Sequence, residues 1–153
     1  MTAARVSETA NNVFMKAMVV TQFGGPEVLK LQEASLPAPG AHDLLIEAHA
    51  CGLNPIDFKV RRGALAKDRP QPIILDEVYS APSLVRNGAN AEFVCVDARM
   101  AAHKPKTLDH VQAAALPLVT ITAWEALRQR ARIRNGETIL IHAGGGGVGH
   151  VAL

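Results

Sequence analysis

A chain of 153 residues has the length of one ordinary domain, and at 48% hydrophobic and 20% charged residues it is too apolar to be disordered. A net charge of +2 excludes a strongly electrostatic nucleic-acid or membrane-surface binder. Two cysteines far apart, Cys51 and Cys95, exclude a disulfide framework, point to a reducing cytoplasm and read as small buried apolar side chains.

Residues 1–14 have no apolar core and no cleavage-type pattern, so they read as a flexible leader, with Met15 a second start. No apolar run reaches the ~18 residues of a membrane span, and no repeat is visible. Residues 18–21 predict a short strand, Gly24-Gly25-Pro26 a turn, and residues 28–31 a second strand, ended by Pro37-Ala38-Pro39-Gly40. Residues 43–50, with Leu44, Leu45 and Ile46, predict a third. Asn54 suits an N-cap, Pro55 the first helical position, Asp57 the positive helix end and Gly63 the stop, so a short helix follows directly. Residues 70–72 read as loop, and Ile73-Ile74-Leu75 as an apolar run that breaks off. Residues 77–80 and 91–96 predict further strands, with Arg86-Asn87-Gly88 turning between them. Short strands punctuated by Gly and Pro predict a small barrel-like β domain.

After Pro105 the period changes. Leu108, Val111, Ala114 and Ala115 fit helical spacing, and Pro117 opens a second helix to about Arg130, with Val119, Ala123 and Leu127 on its apolar side. Arg128, Arg130, Arg132 and Arg134 read either as a phosphate patch or, more simply, as cations at the negative end of a helix dipole. Asn135-Gly136 turns into Thr138-Ile139-Leu140-Ile141, a β-branched apolar run of the kind that forms a strand buried on both faces. Next, Gly144, Gly146 and Gly149 fit G-x-G-x-x-G. There the first glycine permits a tight turn, the second a close approach of backbone to pyrophosphate, and the third close helix–strand packing, with the phosphates at the helix N-terminus. A flexible glycine linker is the bland alternative, and the strand before and helix start after weigh against it. The residues to Leu153 leave no room for the crossover to a parallel partner strand, nor for an acidic residue ~20 positions on that would hold a ribose. Only the opening of a nucleotide-binding domain is therefore expected.

Four motifs in order carry a resemblance: Phe23-Gly24-Gly25-Pro26-Glu27-Val28-Leu29; Cys51-Gly52-Leu53-Asn54-Pro55-Ile56-Asp57; Leu116-Pro117 with Thr122-Ala123-Trp124-Glu125-Ala126-Leu127; and the run from Gly144 to Gly149. With them the chain resembles the medium-chain dehydrogenase/reductase superfamily, and within it the zinc-independent quinone oxidoreductase branch. The resemblance implies an α+β chain. A flexible leader (1–14) precedes a GroES-like β-barrel domain (15–124) and the first strand, turn and helix start of a Rossmann α/β domain (125–153). It also exposes a gap. Family members follow the position of Ile73-Ile74-Leu75 with a Gly-x-Asp-x-Ala-Gly segment and two strands, whereas here Leu75 meets Asp76 directly. Roughly 25 residues, two strands and their turn, are missing at 75/76. Mis-splicing, an internal deletion or a fragment would each give this.

In the family a nicotinamide cofactor lies between the two domains and passes hydride to a quinone or an activated enone. By position, Asn54 is the catalytic candidate, an amide able to hydrogen-bond a substrate oxygen, although a helix cap alone also accounts for it. Thr122 falls beside the nicotinamide ring, although a helical threonine also bonds back to its own backbone. Gly144, Gly146, Gly147, Val148 and Gly149 would hold the cofactor, NADP or NAD. Trp124 reads as core. Lys59 stands where related quinone reductases often carry an aromatic residue. No zinc is expected: the zinc enzymes carry a cysteine at the position of Asn54, there is no four-cysteine lobe, and the six histidines show no ligand spacing and read as surface or turn residues.

The implied function is reduction of quinones or enones by an NAD(P)H-dependent, zinc-independent cytoplasmic oxidoreductase, without nucleic-acid or membrane partners. For the chain itself, an unpaired strand and a shortened β domain predict marginal folding and weak or no cofactor binding. The alternative is a non-catalytic GroES-like module that pairs with an intact reductase subunit or in a homodimer. A third reading is a chain with no stable existence.

Overall fold

The computed structural model describes residues 13–64, 73–74 and 88–153. The junction at 75/76, the strand expected over 77–80, the loop at 70–72 and residues 1–12 of the expected leader lie outside them.

Strand β1 (Phe14–Val20) begins one residue inside the expected leader. It alternates at first: Met15, Ala17 and Val19 are buried on one face, with Phe14 and Lys16 exposed on the other, until Val20 at its end is buried too. β1 pairs antiparallel with β2 (Leu29–Ser35) from Phe14↔Ser35 to Val20↔Leu29. Val28 belongs to a single 3-10 turn (Pro26–Val28) rather than to the strand expected there, because Pro26 at its first position favours a tight turn. Further strands are β3 (Asp43–Glu47), the two-residue β4 (Ile73–Ile74) on the other edge of β1, and β5 (Phe93–Asp97).

The barrel expected from sequence is, among the described residues, two small sheets: β2-β1-β4 and β3-β5. One stretch stitches them together. Residues 90–92 lie along β1, where Met18 N–H donates to Asn90 O (2.8 Å) and Glu92 N–H to Lys16 O (3.0 Å), with an isolated bridge from Ala17 to Ala91. The chain then continues as β5 along β3, from Glu47↔Phe93 to Asp43↔Asp97. The expected strand at 91–96 is thus split between two partners. Met15, Ala17 and Val19 form one core cluster with Phe93 and Ala91 against them; Ala89, Val94 and Val96 form a second with Ile46 and Cys51.

Helix α1 (Pro55–Arg61) stops where expected: Gly63 sits at φ +102°, and its N–H donates to Val60 O at 2.9 Å. Val60 and Ile56 pack on Val20 and Val28, which seats α1 against the end of β1. Helix α2 (His110–Ala114) is capped by Asp109, whose Oδ1 accepts from Gln112 N–H at 2.7 Å while Gln112 Oε1 accepts from Asp109 N–H. It buries Ala113 and Ala114, whereas Val111, expected on the apolar side, is 73% exposed. His110 stacks on His49 with ring centroids 4.5 Å apart, a pairing that ties α2 to the exit of β3.

Helix α3 (Pro117–Trp124) continues as a π-helical stretch (Glu125–Arg130). Ala123 is buried and Val119 and Leu127 are half-buried, as the spacing predicts. Trp124, read as core, is 58% exposed, and its ring lies 5.6 Å from the Arg128 guanidinium. Arg128, Arg130, Arg132 and Arg134 are all exposed.

No strand forms over residues 138–141, which corrects the sequence expectation; Leu140 is 81% and Ile139 43% exposed. A strand exists only as a member of a ladder, and among the described residues none pairs with this run. The run still leads into a turn and then helix α4 (Gly147–Ala152). No helix among the described residues is long and apolar enough to cross a membrane.

Candidate cofactor turn and its surroundings

The glycine run folds into one tight bend. Ala143 takes a left-handed backbone (φ +56°), Gly146 N–H donates to Ala143 O at 2.9 Å, and Gly146, extended, becomes the N-cap of α4. His150 N–H then donates to Gly146 O at 2.9 Å, the first bond of the helix. The N–H groups of Gly147, Val148 and Gly149 precede that bond, so helix geometry leaves them without intrahelical acceptors.

Side chains are excluded from this bend by contact. A Cβ on Gly149 would overlap the Ala143 carbonyl oxygen and lie 2.9 Å from Gly144 Cα. A Cβ on Gly147 would stand 3.2 Å from Val119 Cγ1, and one on Gly144 3.3 Å from Leu153 Cδ1. Gly145 by contrast faces open space, with nothing within 4 Å of a Cβ. The bend is crowded on the side of α3 and α4 and open on the other, which is the shape a diphosphate needs. The residues present therefore fit such a group.

Val119 brings the bend against α3, the helix that carries Thr122. The Thr122 hydroxyl donates to Leu118 O at 2.7 Å, back-bonding within the helix, and the side chain is exposed. Asn54 is elsewhere, half-buried at the start of α1, its backbone bonded within that helix start. Its backbone is held firmly: Asn54 N–H donates to Asp57 Oδ2 (2.7 Å), and Asp57 N–H donates to Asn54 O (3.0 Å). The Asp57 side is 7% exposed. Sequence reading took Asp57 only as a charge favouring the helix end; the Asn-x-x-Asp spacing was the signal for this reciprocal bond.

Cys51 and Cys95 are each half-buried; Cys51 Sγ donates to Gly52 O at 3.5 Å and Cys95 Sγ to Pro37 O at 3.6 Å. The six histidines are all exposed. Among the described residues no three His, Cys, Asp or Glu side chains cluster so as to hold a metal ion.

No protein-family model matches the chain. It is similar to the quinone oxidoreductase of Rattus norvegicus, 37% identical over 155 positions that take in 88% of this chain and 47% of that protein. Those 155 positions outnumber this chain's 153 residues, so some residues of the rat protein face gaps here. Among solved structures, an alcohol dehydrogenase superfamily protein from Novosphingobium aromaticivorans is 37% identical with a TM-score of 0.78, covering 90% of this chain and 48% of that one. A mycobacterial protein solved in complex with NADPH is 34% identical with a TM-score of 0.75, covering 90% and 47%. The fold is similar to that of alcohol dehydrogenase-like proteins. The chain belongs to the medium-chain dehydrogenase/reductase superfamily, in its quinone oxidoreductase-like branch. It spans about half the length of the curated relatives it matches.

Proposed function

We propose that the chain carries the cofactor-phosphate bend and the substrate-side amide of an NAD(P)H-dependent, zinc-independent reductase of quinones or activated enones. The observation that carries this reading is the Gly149–Ala143 approach, which leaves room at the start of α4 for backbone alone. The free N–H groups of Gly147, Val148 and Gly149 bind the diphosphate, with Gly144 and Gly146 shaping the turn beneath it. The Thr122 hydroxyl, its proton committed to Leu118 O, offers its lone pairs as an acceptor to a carboxamide N–H. Asn54, its backbone pinned by Asp57, presents an amide donor to the substrate oxygen on which negative charge develops. A bound reduced nicotinamide supplies the hydride, so no protein nucleophile is required. Asn54 also bears on zinc, because a neutral amide is a poor ligand where a zinc enzyme needs a thiolate.

The chain alone is expected to bind the cofactor weakly. Titrating the 153-residue chain with NADPH under amide NMR should move the Gly144, Gly146, Gly147, Val148 and Gly149 signals at millimolar ligand. Absence of any shift in that group would overturn the assignment, and micromolar affinity would overturn the expectation of weakness.

A second reading, a non-catalytic module that associates with a reductase subunit, is favoured by one observation: Ile139 and Leu140 are exposed, and among the described residues no strand pairs with 138–141. Co-purification with an intact reductase of the branch tests it.

A further inference from the structure

We propose that Arg61 is a positioning residue for Asn54: its buried guanidinium is the countercharge that keeps the Asp57 carboxylate in place against the Asn54 N–H. This rests on the reading of Asn54 as the substrate-side amide and adds the residue behind it. Arg61 ends α1, and only 7% of it is exposed. Arginine is almost never buried to that degree without a partner, because a guanidinium taken out of water loses its hydration. Among the described residues, however, no hydrogen bond or ion pair reaches its guanidinium. Its backbone is engaged instead, with Gly24 N–H donating to Arg61 O at 3.1 Å. The neighbouring Arg62 shows the ordinary alternative: it is exposed, with its guanidinium 5.6 Å from the centre of the Phe58 ring. Asp57 is the only acid of α1 and is as buried as Arg61. It stands one turn before Arg61 on the same face of the helix, and a long helical side chain leans back over the turn that precedes it. Asn54, Asp57 and Arg61 thus follow one another along one stripe, at spacings of three and four residues. The carboxylate already has a fixed role, accepting the Asn54 N–H at 2.7 Å. A cation shut away from water one turn behind it attracts that carboxylate with little screening, and needs no direct contact to do so.

The test is a double-mutant comparison in the 153-residue chain, read by urea unfolding and by hydrogen exchange. Arg61→Met keeps the bulk of the stem and removes the cation; Asp57→Asn keeps an acceptor oxygen and removes the anion. Arg61→Met alone should lower the folding equilibrium constant at least about tenfold, because it leaves a buried carboxylate without its countercharge. It should also speed exchange of the Asn54 amide about tenfold relative to the amides of β1. Arg61→Lys, which keeps the charge, should stay within about threefold of the parent on both measures. The double variant Arg61→Met with Asp57→Asn should be more stable than Arg61→Met, since neither charge is then stranded. A double variant no more stable than Arg61→Met overturns the proposal, because burial of the aliphatic stem would then account for Arg61. An Asn54 amide unmoved by Arg61→Met, or a lysine that restores nothing, overturns it as well. If Arg61→Met does not fold, folding of the double variant is the expected result and its failure to fold the contrary one. None of these measurements uses a ligand, so a failed NADPH titration would remove the cofactor assignment and leave this comparison standing.

Discussion

The carbonyl oxygen of Ala143 occupies the space that a Cβ on Gly149 would need. Both ends of this approach are backbone, so neither can swing aside as a side chain would. Gly149→Ala should therefore push α4 away from the bend and lower stability by about 1–3 kcal/mol. Ala143 itself holds a left-handed conformation, φ +56°, that alanine adopts at a cost. Ala143→Gly should relieve that strain and stabilise by on the order of 0.5–1 kcal/mol. Urea unfolding followed by circular dichroism measures both; a neutral Gly149→Ala would show that the approach is not tight.

Gly63 makes a different demand. Its φ of +102° ends α1, and a Cβ there would find only ordinary contact with Phe23 Cγ at 3.5 Å. The cost of Gly63→Ala is thus conformational, about 1 kcal/mol. The same unfolding measurement should also show an unchanged m-value, because no packing is lost.

Asp57 is the residue on which the Asn54 position depends. Its Oδ2 accepts the Asn54 N–H from a buried side chain. Asp57→Ala leaves that donor without its acceptor and should cost about 1–2 kcal/mol. Asp57→Asn keeps an acceptor oxygen of the same reach and should cost less. If the two variants unfold alike, the carboxylate–Asn54 bond contributes nothing.

What the sequence revealed divides by how local the cause was. The cap at Asn54, the proline at Pro55 and the stop at Gly63 act within one helical turn, and α1 formed as read. The glycine bend is equally local, and α4 starts inside it. Residues 138–141 failed as a strand because a ladder needs a partner far along the chain, which composition does not supply. Trp124 failed because periodicity identifies the face that Val119, Ala123 and Leu127 share, but not how far around the helix the burial extends. The His49–His110 stack was invisible because the residues are remote in sequence and meet only when α2 docks at the end of β3. Asn54 and Thr122 were assigned by position, and their hydrogen bonds, to Asp57 and Leu118, are ones a cap and a helix explain locally.

The β3–β5 register sets Asp43 directly opposite Asp97, a pairing of like charges that destabilises a ladder. Arg99 counters it. Its Nε and terminal nitrogen donate to the two Asp97 oxygens at 3.0 and 2.6 Å, and its backbone N–H donates to Oδ1 at 2.9 Å. The Arg99 side-chain bonds, then its backbone bond, hold the Asp97 carboxyl well below the usual carboxylate range. A depressed carboxyl favours the folded state above its unfolded value of about 3.9, and that contribution disappears as pH falls through the lower folded value. Arg99 is exposed and Asp97 half-buried at the surface, so the effect on stability is small and screened by salt. Arg99→Ala should return the carboxyl towards its ordinary range and flatten the corresponding acid limb of the stability profile. Carboxyl carbon NMR of Asp97, titrated in both proteins, reads the shift directly; coincident titration curves would mean that the Arg99 fork does not persist in solution.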